Sequence, residues 1–154
     1  MAATSTSFAE LPRHPWNTSF TWRVGTPPYR CLTAEQVEQF DRDGFVVVPD
    51  VFDAELVARV TAEIDGFEAE VDAVLAASED ERVFIAERGA ITFAPHLVAR
   101  SPLLREFAGH PFFAGVAADL IGPDVNLYWD QAVYKHHEKP RRFPWHQDNG
   151  YTFV

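Results

Sequence analysis

Phe143-Pro144-Trp145-His146-Gln147-Asp148-Asn149-Gly150-Tyr151-Thr152-Phe153 is the stretch on which the reading of this chain turns. In an extended segment, residues two apart share a face, with Cα atoms roughly 6.6 Å apart at about 3.3 Å per residue. His146 and Asp148 stand at that offset. From it an imidazole and a carboxylate can converge on one metal ion at about 2.0 to 2.2 Å, as two of the three ligands of a 2-His-1-carboxylate face. The third ligand is expected to be a distant His. Trp145, Tyr151 and Phe153 would surround the pair with apolar surface, which raises the electrostatic value of any charge held there.

Two plainer readings stand beside this one. His146 and Asp148 can be a surface hydrogen-bonded pair, because His-x-Asp arises readily by chance in an acid-rich chain. His136-His137-Glu138 repeats the offset, with Glu138 two places after His136. That run is polar and contains Pro140, a composition typical of an exposed turn.

Just upstream, Gly122-Pro123-Asp124 reads as a turn and Val125 to Lys135 as one long strand, with Val125, Leu127, Trp129, Gln131 and Val133 on one face. Gln131 is polar among apolar neighbours. Either its amide bonds to backbone, or it faces a cavity and binds cosubstrate or substrate. Lys135, with Lys139, Arg141 and Arg142, forms a basic cluster in an acidic chain. It can meet an anionic cosubstrate or substrate, or form a solvated turn.

From Val125 to Tyr151 the chain resembles the phytanoyl-CoA dioxygenase family. The likeness rests on Leu127-Tyr128, Gln131 and Tyr134-Lys135 on a strand, a polar turn with Pro140, then Pro144-Trp145-His146-Gln147-Asp148-Asn149 and Tyr151. A second motif, Phe40-Asp41-Arg42-Asp43-Gly44-Phe45-Val46-Val47-Val48-Pro49-Asp50-Val51-Phe52, is similar to the opening of that family: a short helix, Asp-Gly-Phe, then a hydrophobic strand.

The resemblance implies a non-haem Fe(II) enzyme that uses 2-oxoglutarate and O2 to hydroxylate a C–H bond of a small organic substrate. His146 and Asp148 would be metal ligands and catalytic residues. Gln131 and Lys135 would contact the cosubstrate, and Trp145, Asn149 and Tyr151 are substrate-pocket candidates. It also implies an α+β fold with a mainly β core, a double-stranded β-helix (jelly roll, cupin-like) flanked by N-terminal helices. Such a barrel has about eight strands, and the patterns here supply about five. The expectation is therefore the N-terminal portion of such a domain over residues 31–154, after an irregular arm at 1–30. In the family a second metal His and an Arg for 2-oxoglutarate lie downstream of the motif, so the chain alone is expected to be catalytically incomplete. Unpaired strand edges imply self-association. The alternative is a non-catalytic binding or oligomerisation module built on the same sheet. A cupin-like isomerase or hydrolase with another divalent ion ranks last.

Composition bounds these readings. A chain of 154 residues, 47% hydrophobic and 14% aromatic, suits one folded domain. A formal net charge of -10 argues against a nucleic-acid partner. Cys31 is the only cysteine, which excludes an intramolecular disulfide and a zinc knuckle. The first residues lack a basic, then apolar, leader pattern, and no run approaches about 18 apolar residues, so no membrane partner is expected and a cytoplasmic location is the default.

Local patterns predict the scaffold. Thr33 caps a short helix that Asp43-Gly44 ends, and Phe45 to Val48 reads as a buried strand closed by Pro49. Asp53 caps a helix to about Ala77, with Leu56, Val57, Val60, Ile64, Phe67, Val71 and Val74 as its stripe and Gly66 a weak point. Glu63, Asp65, Glu68, Glu70 and Asp72 fall mainly off that stripe and are expected on a solvated face. Val83 to Ile85 and Ala90 to Phe93 read as strands joined near Arg88-Gly89. Ser101-Pro102 and Pro111 open two packing helices, with His96 and His110 as structural histidines.

Overall fold

The computed structural model describes residues 21–137, 139 and 146. Phe143, Trp145, Asp148, Asn149, Tyr151, Phe153 and the arm before residue 21 lie outside the described residues.

Helix α1 (Ala34–Asp43) starts as its sequence predicts. Thr33 Oγ1 accepts the Gln36 N–H at 3.2 Å, and the Gln36 side chain accepts the Thr33 N–H at 2.9 Å. This reciprocal box satisfies two N–H groups that a bare helix start leaves open. Gly44 ends the helix at φ 78, where glycine carries no Cβ penalty. Trp22 leans on the helix, its ring 6.0 Å from that of Phe40 and its Nε1 donating to Asp41 at 2.8 Å.

The buried strand expected at Phe45 to Val48 does not form. Among the described residues the segment joins no ladder, and Phe45 and Val47 are 57% and 68% exposed. Val46 and Val48 are half-buried, so the period of two survives without a partner strand to pair it.

Helix α2 (Ala54–Ala76) is the main support. Asp53 caps it through the Leu56 N–H at 2.7 Å, and it runs through Gly66 unbroken. Leu56, Val60, Ile64, Phe67 and Val71 pack on Ala94, Ala132, Leu97, Leu104 and Phe107. Val57 and Val74, assigned to the stripe from sequence, instead lie in solvent.

The acidic face of α2 is exposed at Asp65 and Glu70, as expected, and its acids also take partners on neighbouring elements. Glu63 accepts from Ser101 Oγ, Asp65 from Tyr134 Oη, and Glu68 from Thr92 Oγ1 at 3.2 Å. Glu70 pairs with Arg100, and Asp72 with Arg88 at 3.2 Å. These acids follow or flank the apolar stripe closely enough to reach across its border and fasten helix to sheet.

Strands β1 (Arg82–Val83), β2 (Ala86–Glu87), β3 (Ile91–Pro95) and β4 (Gln131–Lys135) form one antiparallel sheet in the order β1-β2-β3-β4. The strand predicted over Val83 to Ile85 is instead a tight hairpin. Phe84 turns at φ 53 and is 96% exposed. The second turn falls at Arg88-Gly89 as expected, with Gly89 at φ 67.

The long strand predicted from Val125 shrinks to Gln131–Lys135. Its partner β3 ends where His96, at φ 59, turns the chain into α3 (Leu97–Arg100), so residues before Asp130 have no strand to pair with. Asp130 marks the junction, its carbonyl accepting the His96 N–H and its carboxylate the Val98 N–H, both at 2.9 Å.

Helices α4 (Pro102–Ala108) and α5 (Pro111–Leu120) follow, capped by Ser101 and by His110 Nδ1, which accepts the Phe112 N–H at 3.2 Å. Phe52, Phe107, Phe112, Phe113 and the His110 ring form an aromatic cluster there. The observed class is α+β, with helices on one sheet face and, among the described residues, four strands that do not close into a barrel.

Candidate functional site

The sheet has two unlike faces. Thr92 and Ala94 pair with Tyr134 and Ala132, and these alternate positions turn toward α2. Phe93 and Pro95 pair with Val133 and Gln131, and Ile91 with Lys135, on the opposite face. Gln131, Val133 and Lys135 are all exposed there. The predicted grouping of Gln131 with Val133 therefore holds within the strand, on the face opposite the one whose Ala94 and Ala132 pack on α2.

Gln131 also borders an apolar cavity of about 540 Å³ with Phe93, Trp129, Val74, Val83 and Phe84. Lys135 lies four residues farther along the same face.

His136 belongs to the other face. Its N–H donates to Ala90 O at 2.9 Å, and its Nε2 lies 3.3 Å from Glu68 Oε1, the oxygen that also receives Thr92 Oγ1. The imidazole of the rival His136–Glu138 pair is therefore engaged with α2, while Glu138 lies outside the described residues. Lys139 Nζ is 2.6 Å from Glu87 Oε1, a surface ion pair of modest worth.

His146 is exposed. Asp148, its expected co-ligand, lies outside the described residues together with Trp145, Asn149 and Tyr151. Among the described residues, no group of three His, Cys, Asp or Glu is arranged to hold a metal. The donor types of the motif, one imidazole and one carboxylate, nonetheless fit Fe(II).

Tyr134 and Asp119 have shifted acidities. Tyr134 is pushed up to about 12, first by burial and then by its hydrogen bond to Asp65 and the nearby charge of Glu68. For Asp119, burial pushes the carboxyl up, but the N–H groups of Arg30, Cys31 and Leu32 outweigh it and hold the group below its ordinary value. Those bonds measure 2.8, 2.8 and 2.9 Å. A sequence signal for the α2 contacts existed, since Asp65, Glu68 and Asp72 each directly follow a stripe residue, Ile64, Phe67 and Val71.

The site residues fall within a stretch, 40–154, that matches the family model for phytanoyl-CoA dioxygenase (PhyH). An ectoine dioxygenase of Sphingopyxis alaskensis is 32% identical over 117 residues, which cover 76% of this chain and 37% of the relative. Ectoine dioxygenases of Bordetella parapertussis and Stutzerimonas stutzeri are 30% and 29% identical over 119 and 117 residues. The chain thus spans 37 to 38% of the length of these curated relatives. No solved structure matches it significantly, and among the described residues no helix is long and apolar enough to cross a membrane. With the family model covering both the Asp43-Gly44-Phe45 opening and the His146-Gln147-Asp148 motif, the chain belongs to the phytanoyl-CoA dioxygenase (PhyH) family.

Proposed function

We propose that this chain carries the His-x-Asp part of the metal centre of an Fe(II)- and 2-oxoglutarate-dependent dioxygenase that hydroxylates a small organic substrate. The observation that carries the reading is the occurrence of the His146-Gln147-Asp148 motif within the family match, downstream of a strand on which Gln131 and Lys135 are exposed on one face. When bound, the metal supplies the coupling of 2-oxoglutarate decarboxylation by O2 to C–H hydroxylation, with succinate and CO2 as coproducts.

The chain's own residues have separable tasks. His146 offers a neutral nitrogen and Asp148 a charge that offsets the cation. Gln131 orients cosubstrate or substrate by its amide, and Lys135 attracts a carboxylate. Trp145, Asn149 and Tyr151 shape the substrate pocket and exclude water. The complete domain would be a double-stranded β-helix, with β3 and β4 as neighbouring strands of one of its sheets. Ectoine, named for the relatives, is the first substrate to test.

Anaerobic Fe(II) titration of the chain, with and without 2-oxoglutarate, tests the ligand assignment. The expected result is one metal site per chain, lost in His146→Ala and in Asp148→Ala and retained in His137→Ala. Uptake unchanged in both ligand variants would overturn it. The second reading is a non-catalytic binding module built on the same sheet; a folded chain that takes up no metal would support that instead.

A further inference from the structure

We propose that the apolar cavity bordered by Phe93, Trp129 and Gln131 takes a neutral, carbon-rich substrate carrying one hydrogen-bonding group, and that Phe84, at the tip of the β1–β2 hairpin, is its specificity-determining residue. The substrate role rests on the oxygenase reading above, which this inference deepens by naming the class of molecule.

Size and lining define that class. A volume of about 540 Å³ is in the range that holds a small organic molecule. Branched and ring side chains wall the cavity from three elements: Val74 from α2, Val83 and Phe84 from the hairpin, and Phe93 from β3. Glu70 and Arg100 are the two charged residues of the lining. They are paired with each other, and the Arg100 guanidinium also lies 4.3 Å from the centre of the Phe67 ring. A charged group entering here would lose water without meeting an uncompensated partner, which is costly. Gln131 offers one amide, with donors and an acceptor suited to a carbonyl or a hydroxyl. The lining therefore favours uncharged, carbon-rich molecules over ions and zwitterions.

Phe84 supplies the second observation. The hairpin turns on Phe84-Ile85, with Val83 paired to Ala86. Phe84 stands at φ 53, in the left-handed region that glycine adopts without a Cβ penalty. It is also 96% exposed, so burial of its ring does not offset the strained backbone. Neither the turn nor the core accounts for a phenyl group at this position. Contact with a molecule in the cavity that Phe84 borders does, because an aromatic ring offers a broad apolar face. Gln131 shares a face of β4 with Lys135, so such a molecule would lie beside the strand proposed to meet the cosubstrate.

Calorimetric titration of the metal-free chain with camphor, a neutral bicyclic ketone, and with ectoine, a zwitterion of similar size, tests the assignment. Camphor is expected to saturate one site per chain, and ectoine to bind at least about tenfold more weakly. Phe84→Gly suits the turn and leaves the core untouched, so its circular dichroism spectrum should match that of the unmodified chain. Its camphor affinity should fall about tenfold, as expected when one ring face is lost from apolar contact. Val74→Glu places a charge at an exposed helix position on the cavity wall and should weaken camphor by a similar factor. Absence of camphor binding, equal affinity for ectoine, or undiminished binding in both variants would overturn the proposal. Because these titrations contain no metal, a failure of Fe(II) uptake leaves them unmoved, and the two readings fail separately.

Discussion

Asp119 shows how much one side chain can organise. It is 5% exposed, yet its carboxylate receives three successive backbone N–H groups and so holds residues 30–32 against α5. A charged acceptor bonded to several donors is stronger than a neutral one, and stripping it leaves buried N–H groups unmet. Asp119→Asn should cost about 1.5 to 3 kcal/mol in denaturant unfolding. The pH dependence has a definite sign, because the folded carboxyl lies below its ordinary 3.8. Its contribution is fully present above about pH 4 and is lost as pH falls through the lowered folded value. The unmodified chain should therefore show an acid-side loss of stability that Asp119→Asn lacks; parallel acid limbs for the two proteins would contradict the assignment.

Tyr134 behaves oppositely. Its folded value near 12 exceeds the ordinary 10, so its contribution is present below about pH 10 and lost as pH rises through the folded value. In an ultraviolet titration one of the four tyrosines should ionise late, and Tyr134→Phe should remove that late step at a cost of about 1 kcal/mol. A full late amplitude in the variant would place the perturbed phenol elsewhere.

At the scale of elements, close approach decides whether α5 can sit where it does. Gly115 lies against residue 31, and a Cβ there would stand 2.2 Å from Cys31 Sγ. Overpacking of that kind costs about 1 to 3 kcal/mol. Gly115→Ala should lower stability by that amount, and adding Cys31→Ala should restore much of it by removing the sulfur. Additive losses in this double-mutant cycle would show that the strain lies elsewhere. Helix α2 illustrates the other device of element packing. Its apolar stripe buries against β3 and β4 while Asp65 and Glu68 reach Tyr134, Thr92 and His136 on the same strands. Helix and sheet are thereby fixed in rotation as well as in distance.

For the whole molecule, α2 packs on the Ala94 and Ala132 face of a four-stranded sheet, and the opposite face carries Ile91, Phe93, Gln131, Val133 and Lys135, with Val71, Val74 and Leu75 of α2 lining the same cavity as Phe93 and Gln131. His146 and Asp148, the proposed metal ligands, follow β4 in the chain.

Short-range chemistry was legible in the sequence wherever it acts between neighbours. Thr33 with Gln36, Asp53 with Leu56, Gly44 and Gly89 at positive φ, and the Ser101-Pro102 helix start all follow from residue type and local spacing. The family was legible too, because its motifs are contiguous. Strand pairing was not, because a strand needs a partner that lies far along the chain. Phe45 to Val48 has the composition of a buried strand and no ladder, and Val125 to Asp130 lacks one because His96 turns β3 away. Nor could spacing alone show that the α2 acids grip the sheet, or which face Gln131 presents. Those are decided by where β4 docks, a tertiary choice that hydrophobic burial against α2 makes and local propensity does not.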